Sequence, residues 1–314
     1  NGYIKRTSLS TYRSQRRGGR GVQGASSREE DFVEHLFIAN THSYILFFTD
    51  KGKCYWVKVY DIPEGGRAAK GRAIVNLIGC EPDEKVSAFI SVKEFNEDHY
   101  VVMATEKGMV KKTKLSAYSN PRKKGIYAVE IRDGDKLIEA RVSTGDNDIL
   151  LGTRNGKSIR FSEEQIRASG RKTMGVKGIT LSSDDDRLVG MLLIKREGTV
   201  LVATEKGFGK RTEISQYRAQ KRGGKGVLTM KTTDKVGKMV TIKEVVDKDD
   251  LMIITNQGVL IRLPVAQIRS IGRATQGVKL IKLGEGTLVS SITRIMSEEE
   301  ENENNNTEST DPKE

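Results

Sequence analysis

The sequence predicts an all-β domain of six propeller-like blades. A phrase of the type T-x-x-G followed by a short basic strand recurs along the chain, and its glycines stand at Gly2, Gly52, Gly108, Gly156, Gly207 and Gly258. A second glycine series follows these copies, at Gly21, Gly71, Gly125, Gly175, Gly226 and Gly277. Each repeat of about 50 residues contains four short strand-like segments. Such a period and strand content are typical of one propeller blade.

The strands follow in a fixed order within each copy. An apolar segment such as residues 251–255 (LMIIT) runs into the T-x-x-G phrase, where pairs such as Asn155-Gly156 favour a tight hairpin. The return strand alternates basic and apolar residues. A short strand follows the second glycine, and a longer one such as residues 237–243 completes the unit. The first copy, NGYIKRT, lacks the apolar segment that precedes the phrase elsewhere.

Charge divides the chain into a basic domain, residues 1–296, and an acidic tail, residues 297–314. The tail holds eight acids and Lys313, and we expect it to be disordered. The body holds 53 Lys and Arg against 34 Asp and Glu, a net charge of +19 that attracts polyanions. Because the chain opens within a repeat and without methionine, we expect a piece of a longer polypeptide.

Several classes of site have no support in the sequence. No apolar run approaches the ~18 residues of a membrane span, so we expect no membrane partner. Cys54 and Cys80 form no CxxC pair, which predicts structural cysteines in a reducing cytosol and no metal site. The segment GTRNGKS (152–158) resembles a phosphate-binding P-loop but is one residue short and falls on a predicted hairpin turn.

Each copy carries a basic loop between its hairpin and its second glycine. The loops span residues 12–21, 62–71, 118–125, 166–175, 217–226 and 268–277, and together they hold 18 Lys and Arg but one acid, Glu64. This exclusion of acids predicts a polyanion-binding edge. The cations are Arg13, Arg16, Arg17, Arg20, Arg67, Lys70, Arg122, Lys123, Lys124, Arg167, Arg171, Lys172, Arg218, Lys221, Arg222, Lys225, Arg269 and Arg273.

Two residue types in the loops have structural interpretations. Tyr12, Tyr118 and Tyr217 alternate with Ile at the loop start, so we assign them to core packing and not to base stacking. The pairs Gly18-Gly19 and Gly223-Gly224 permit positive φ in a tight turn, and such turns also present consecutive N–H groups to an anion. With no base-reading element, DNA binding is expected to be weakly sequence-specific and strongly salt-dependent.

The loop QRRGGRG at Gln15, Arg16, Arg17, Gly18, Gly19, Arg20 and Gly21 resembles the box motif found in the C-terminal domains of DNA gyrase A proteins, with Arg20 where Lys is usual. ANTHSYILFF, GVKGITL and the acidic tail add to the resemblance. It implies a six-bladed β-pinwheel with strands exchanged between blades. It also implies that double-stranded DNA wraps around a basic outer rim with positive handedness, which enables negative supercoiling. A second box-like loop, QKRGGKG, stands at 220–226.

The resemblance also sets expectations for partners. It implies the remainder of a gyrase A protein, joined with gyrase B in an A2B2 holoenzyme, in the bacterial cytoplasm at the nucleoid. ATP and Mg²⁺ act elsewhere in that enzyme, so this fragment, expected to be monomeric alone, has no cofactor and no catalytic residue.

Two alternatives remain open on the residues. The related domain of topoisomerase IV generally keeps fewer blades and a degenerate box, and a propeller can instead be a protein-interaction platform. The intact box and the acid-free loops argue against these, and no WD dipeptide occurs. We also hypothesise that the acidic tail competes with DNA for the basic loops.

Overall fold

The computed structural model describes residues 2–7, 39–66, 69–120, 122–195, 198–257 and 260–295. Their contacts separate two compact units. The first holds the described residues up to Asp146 together with Glu163–Lys177, and the second holds Asn147–Ser162 and the described residues from Gly178 onward. Both units consist of small antiparallel sheets.

The first unit contains two four-stranded sheets and one two-stranded sheet. The strands β2 (Tyr44–Thr49), β3 (Lys53–Lys58), β5 (Val86–Val92) and β8 (Ile126–Tyr127) pair in the order β5-β2-β3-β8. The strands β6 (Tyr100–Thr105), β7 (Met109–Lys114), β9 (Leu137–Ser143) and β12 (Val176–Lys177) pair in the order β12-β7-β6-β9. The small sheet pairs β1 (Tyr3–Ile4) with β4 (Arg72–Ala73), and the helix α1 (Ile74–Ile78) follows β4.

The second unit contains three sheets. The strands β10 (Asp148–Thr153), β11 (Lys157–Ser162), β13 (Leu188–Ile194) and β16 (Val227–Leu228) pair in the order β13-β10-β11-β16. The strands β14 (Thr199–Thr204), β15 (Phe208–Glu213), β17 (Met239–Val245) and β20 (Val278–Lys279) pair in the order β17-β14-β15-β20. The strands β18 (Asp250–Thr255), β19 (Leu260–Pro264) and β21 (Val289–Ile295) pair in the order β19-β18-β21.

Every four-stranded sheet takes its fourth strand from the following repeat. β8 pairs with β3 through Cys54 and Ile126, and β20 pairs with β15 through Gly209 and Val278. β12 on β7 and β16 on β11 repeat the arrangement. The strand exchange implied by the resemblance is therefore present in the structure.

The prediction of six blades is wrong, although the all-β propeller class is right. Within the described residues there are five blade-like sheets, four with four strands and one with three. In the described part of the first repeat the one strand is β1, which pairs only with β4. Six glycine turns do not make six blades, because each four-stranded sheet joins strands of two successive repeats.

The hairpin phrase depends on both its threonine and its glycine. The N–H of Gly156 donates to Thr153 O at 3.0 Å, and the N–H of Lys157 donates to Thr153 Oγ1 at 3.3 Å. Gly156 has φ +81°, and a Cβ there would lie 2.1 Å from Met230 O. The next repeat passes directly over this turn, since the N–H of Met230 donates to Gly156 O at 3.2 Å. A side chain at this position would therefore break both the turn and its contact.

The central strands are buried on both faces, which explains their continuous apolar runs. In β2, Leu46 and Phe48 belong to one hydrophobic cluster, whereas Ile45 and Phe47 face a different one. All four side chains are at most 1% exposed. The sheet centred on β2 is thus packed against apolar side chains on both of its faces.

Candidate nucleic-acid interface

The described basic loops follow similar paths, and four of the five share a parallel bridge to a return strand. A short 3₁₀ helix precedes each loop, at Val59–Asp61, Leu115–Tyr118, Glu163–Gln165, Ile214–Gln216 and Val265–Gln267. Each loop then runs along the return strand of the preceding repeat. Parallel bridges join Arg6 to Glu64, Lys112 to Ala168, Arg160 to Ala219 and Arg211 to Ser270. The loops therefore occupy equivalent places on successive sheets, as the repeat register predicted.

Most of the predicted DNA-binding cations that are described point to solvent. Exposed are Lys70, Arg122, Lys123, Lys124, Arg167, Lys172, Arg218, Lys221, Lys225 and Arg269. Half-buried are Arg171, Arg222 and Arg273. The first loop and its box residues Arg13, Gln15, Arg16, Arg17, Gly18, Gly19, Arg20 and Gly21 lie outside the described residues, as does Arg67.

The loop anchors are core residues, as predicted. Tyr118 and Tyr217 are 0% and 1% exposed, and Ile62, Ile166 and Ile268 are equally buried. The hydroxyl of Tyr217 is 2.7 Å from Thr229 Oγ1. Burial raises the pKa of Tyr217, so the phenol stays neutral. Tyr118 and Tyr217 are thus inaccessible to nucleobases. Tyr12 lies outside the described residues.

A second set of cations, on the return strands, serves the fold. In four repeats the residue four positions after the first-series glycine donates a hydrogen bond to the carbonyl at the start of the next basic loop. Arg6 Nε donates to Ile62 O at 2.8 Å, Arg160 Nη1 to Tyr217 O at 3.2 Å, and Arg211 Nε to Ile268 O at 2.7 Å. Trp56 Nε1 makes the equivalent bond to Tyr118 O at 2.8 Å.

Carboxylates pair with these strand cations. Arg160 Nη2 lies 2.6 Å from Asp148 Oδ2, and Lys112 Nζ lies 3.6 Å from Glu163 Oε1. Arg211 also pairs with Asp247. Sequence reasoning missed this role. The signal was available, because a tryptophan stands among cations at one register position, and what tryptophan and arginine share there is an N–H donor.

The box-like loop 220–226 is held by the main chain around it. Gly223 N–H donates to Gly178 O at 2.8 Å, and Thr180 N–H donates to Gly224 O at 2.9 Å. Gly226 has φ +70°, and a Cβ there would lie 2.3 Å from Ser158 O. The glycines therefore serve the turn. The expected run of amides facing an anion is interrupted, because the Gly223 N–H is already used.

Two loop arginines bond to a neighbouring strand. Arg171 Nη1 donates to Tyr127 O at 3.1 Å, and Arg273 Nη1 donates to Leu228 O at 2.9 Å. Both follow a glycine, in the pairs Gly170-Arg171 and Gly272-Arg273. We call loops 62–71, 166–175 and 268–277, which share this sequence pair, the Gly-Arg loops, and loops 118–125 and 217–226 the Tyr loops.

The rejected P-loop candidate lies where it was predicted, on the turn between β10 and β11. Cys54 is buried and Cys80 is half-buried, and burial raises the pKa of both thiols. In the described ranges no helix is both long enough and apolar enough to cross a membrane.

Comparison with known proteins bears on the whole chain. The family model described as DNA gyrase C-terminal domain, beta-propeller, matches residues 1–40, 43–93, 99–144, 147–195, 198–245 and 249–295. The DNA gyrase A protein of Staphylococcus epidermidis (strain ATCC 12228 / FDA PCI 1200) is 47% identical over 303 residues, which are 96% of this chain and 34% of that protein. The DNA gyrase A protein of Staphylococcus aureus (strain NCTC 8325 / PS 47) is 46% identical over 313 residues, 99% of this chain and 35% of that protein.

Solved structures agree on the fold. The C-terminal domain of a DNA topoisomerase IV superposes with a TM-score of 0.81 at 26% identity, over 95% of this chain and 91% of that one. A DNA gyrase A C-terminal domain superposes with a TM-score of 0.74 at 22% identity, over 94% and 97% of the two chains. The chain spans about a third of the length of the curated relatives it matches. It belongs to the DNA gyrase C-terminal domain family of β-propellers.

Proposed function

We propose that the chain binds double-stranded DNA through its basic loops without reading base sequence. The observation that carries the proposal is a repeated exposed arginine. Arg167, Arg218 and Arg269 each follow the loop anchor directly, and all are exposed. A cation presented at the same point of successive sheets suits a polymer with evenly spaced phosphates. The family supports a DNA-binding role within gyrase.

The proposed contacts are to phosphates and not to base edges. Among the described residues the one α-helix is α1, which has five residues and is too short to read a major groove. Of the exposed charged side chains in the described loops, ten are lysine or arginine and one is Glu64, and the cations can neutralise phosphate charge. Affinity should therefore fall steeply with salt and depend little on sequence.

We further propose that the bound DNA is bent and wrapped. Bending a duplex by half a turn costs on the order of 10 kcal/mol, so the contacts must be spread over many loops. The distribution of cations over the loops of both units supports this. We propose positive handedness of the wrap, so that strand passage by the attached catalytic parts of a gyrase A protein produces negative supercoils.

The remaining proposals concern the assembly. The partners would be the remainder of the gyrase A protein and gyrase B, in an A2B2 holoenzyme where ATP and Mg²⁺ act. The protein would be located in the bacterial cytoplasm, at the nucleoid, and the isolated chain would be monomeric. In this proposal the chain wraps DNA and does not cut it.

The decisive experiment is religation of relaxed circular DNA in the presence of the 314-residue chain. Deproteinised circles should carry a positive linking difference that grows with protein concentration and disappears at high salt. Circles with unchanged linking number at low salt would refute wrapping. Retained gel-shift binding in that case would leave plain DNA binding standing.

A length comparison separates DNA wrapping from an interaction platform. The chain should bind a long linear duplex more tightly than a short one at equal nucleotide concentration, since only the long duplex reaches several loops. Equally weak binding of the long and the short duplex would favour the protein-interaction platform.

The topoisomerase IV alternative is favoured by one observation, the structural match at a TM-score of 0.81. Both readings predict DNA binding. They differ in the proposed topological outcome, because a box-dependent wrap requires Gln15–Gly21. If the gyrase hypothesis is right, replacing Arg16, Arg17 and Arg20 by Gln should abolish the positive linking difference. The topoisomerase IV alternative is favoured if the replacement weakens DNA binding and the wild type itself produces no linking difference.

A further inference from the structure

Three lysines occupy one register position in alternate repeats. Lys5, Lys111 and Lys210 each stand three residues after a first-series glycine. The remaining copies have Tyr55, Ile159 and Ile261 there. The alternation matches that of the loops, because the lysines underlie the three Gly-Arg loops, whereas Tyr55 and Ile159 underlie the Tyr loops.

Lys210 is bonded to loop 268–277 on three sides. Its Nζ donates to Gly272 O at 2.7 Å, to Thr275 Oγ1 at 3.0 Å and to Arg273 O. The side chain is 0% exposed. An ammonium has three donors, and three oxygens of one loop receive them. The bonds span 62 to 65 residues of sequence, so they join two repeats.

Lys111 and Lys5 repeat this arrangement. Lys111 Nζ donates to Arg171 O in loop 166–175 and to Ala128 O at 2.7 Å, and the residue is 1% exposed. Lys5 Nζ donates to Gly66 O at 3.0 Å and to Ala69 O at 2.9 Å in loop 62–71. In each case the acceptors include main-chain oxygens of the loop, at Gly66, Arg171 and Gly272 respectively.

Burial excludes a direct contact between the two deeper lysines and DNA. A buried charge without a full set of acceptors is strongly unfavourable, so a lysine in this position constrains the loop above it to one conformation. A loop fixed before binding loses less conformational entropy when a phosphate backbone contacts it.

We propose that Lys5, Lys111 and Lys210 are positioning residues for DNA binding, which hold the Gly-Arg loops in the conformation that presents their exposed cations. The inference rests on the proposed function. The cations concerned are Lys70, Arg167, Lys172 and Arg269. The Tyr loops have no such lysine and rely on their buried tyrosines.

The test compares the 314-residue chain with its Lys111→Met/Lys210→Met variant in binding a long linear duplex. Methionine keeps the length of the side chain and removes the donors. We expect affinity to fall about tenfold at fixed salt, through looser loops. Amide hydrogen exchange in residues 168–175 and 270–277 should accelerate. Because the phosphate-binding cations remain, the slope of log affinity against log salt should change by less than about 1.

The matched control is Ile159→Met, the same position beneath a Tyr loop, which should leave affinity and exchange in loop 217–226 unchanged. If the double variant fails to fold, Thr275→Val keeps Lys210 and removes one acceptor, and it should weaken binding about twofold with faster exchange in its loop. Unchanged affinity in variants that fold, with the wild type binding, would overturn the positioning role and leave the proposed function intact. Equal losses in the control would overturn it too. A wild type that does not bind would refute both.

Discussion

The second unit contains two basic loops from successive repeats, 217–226 and 268–277. They hold equivalent positions in their repeats but differ in the residues that anchor them and in the cations that they expose. Loop 217–226 starts at Tyr217, lies near Ile159 and exposes Arg218, Lys221 and Lys225. Loop 268–277 starts at Ile268 and lies on Lys210. It exposes Arg269, whereas Arg273 is half-buried and donates to Leu228 O.

This difference shows that counting cations in the sequence overestimates the number that are exposed to solvent. Both loops read as basic and free of acids in the sequence. In the structure the Tyr loop exposes three of its four cations to solvent, whereas the Gly-Arg loop exposes one of its two and uses the other, Arg273, to bond to the neighbouring strand. The two loops should therefore differ in what their neutralisation does to DNA affinity and to stability.

The largest effect is expected from the Tyr loop. Replacing Arg218, Lys221 and Lys225 by Gln should lower affinity for long DNA by about 10- to 100-fold and reduce the salt slope by about 3, with little change in melting temperature. Replacing the exposed Lys206, Lys235 and Lys282 by Gln removes the same charge near another turn and serves as the control. Equal losses in both triple variants would show that net charge and not the loop determines binding.

The next effect separates two arginines within one Gly-Arg loop. Arg269→Gln should weaken DNA binding about three- to tenfold and reduce the salt slope by about 1, without changing the melting temperature. Arg273→Gln should lower the melting temperature by about 2–4 °C through loss of its bond to Leu228 O, with a smaller change in the salt slope. Thermal melts measure the melting temperature of both variants, and DNA-binding titrations at several salt concentrations measure the salt slope. The reverse pattern would contradict the assigned geometry.

A smaller effect should appear in the pH dependence of stability. Burial, together with the nearby charge of Arg273, lowers the pKa of Lys210 to about 8. The pKa of Lys111 is lowered to about 7 by burial and by Arg171, against Glu130, which raises it. Both values lie below the ordinary 10.5, so between the lowered and the ordinary pKa the unfolded chain binds more protons. The free energy of unfolding should therefore rise with pH over this window.

Denaturant titrations of wild type and Lys210→Met at pH 7.5 and 9.5 measure the shift. The free energy of unfolding of the wild type should increase relative to that of the variant at the higher pH. The reason is that Lys210 in the folded protein is then neutral, so folding no longer buries a charged ammonium. The same comparison for Ile159→Met should show no such shift. A constant difference for Lys210→Met would argue against a buried, titrating lysine.

The smallest effect concerns the acidic segment 297–314, which lies outside the described residues. If it competes with DNA, its deletion should tighten binding of the wild type about two- to threefold at low salt. The deletion should matter less in the Tyr-loop triple variant, since the cations that the segment would bind are gone. Unchanged wild-type affinity after deletion would refute the competition.

Much of the fold was predictable because its signals are local. The T-x-x-G turns follow from Thr153, Gly156 and their equivalents, because the hydrogen bonds that close each turn join residues three or four positions apart. The number of blades was not predictable, because β8 and β20 each pair with the sheet of the repeat that precedes their own in sequence. Counting repeats therefore counted turns and not sheets.

The equivalent placement of the basic loops was predictable from the sequence, but the exposure of each cation was not. Ten of the thirteen described loop cations are exposed as expected, whereas Arg171, Arg222 and Arg273 are half-buried. The strand donors at Trp56 and Arg211 and the lysines beneath the Gly-Arg loops were not assigned, because their partners lie about 60 residues away.

The sequence by itself determined the period, the hairpins and the basic loops, since positive-φ glycines and apolar strand segments act through their nearest neighbours. Only the tertiary structure decided which cations remain available to a polyanion. A lysine or arginine on a return strand is engaged within the fold when carbonyl groups of the next repeat accept its hydrogen bonds. Those carbonyls lie about 60 residues away in sequence, so the contact depends on packing between repeats.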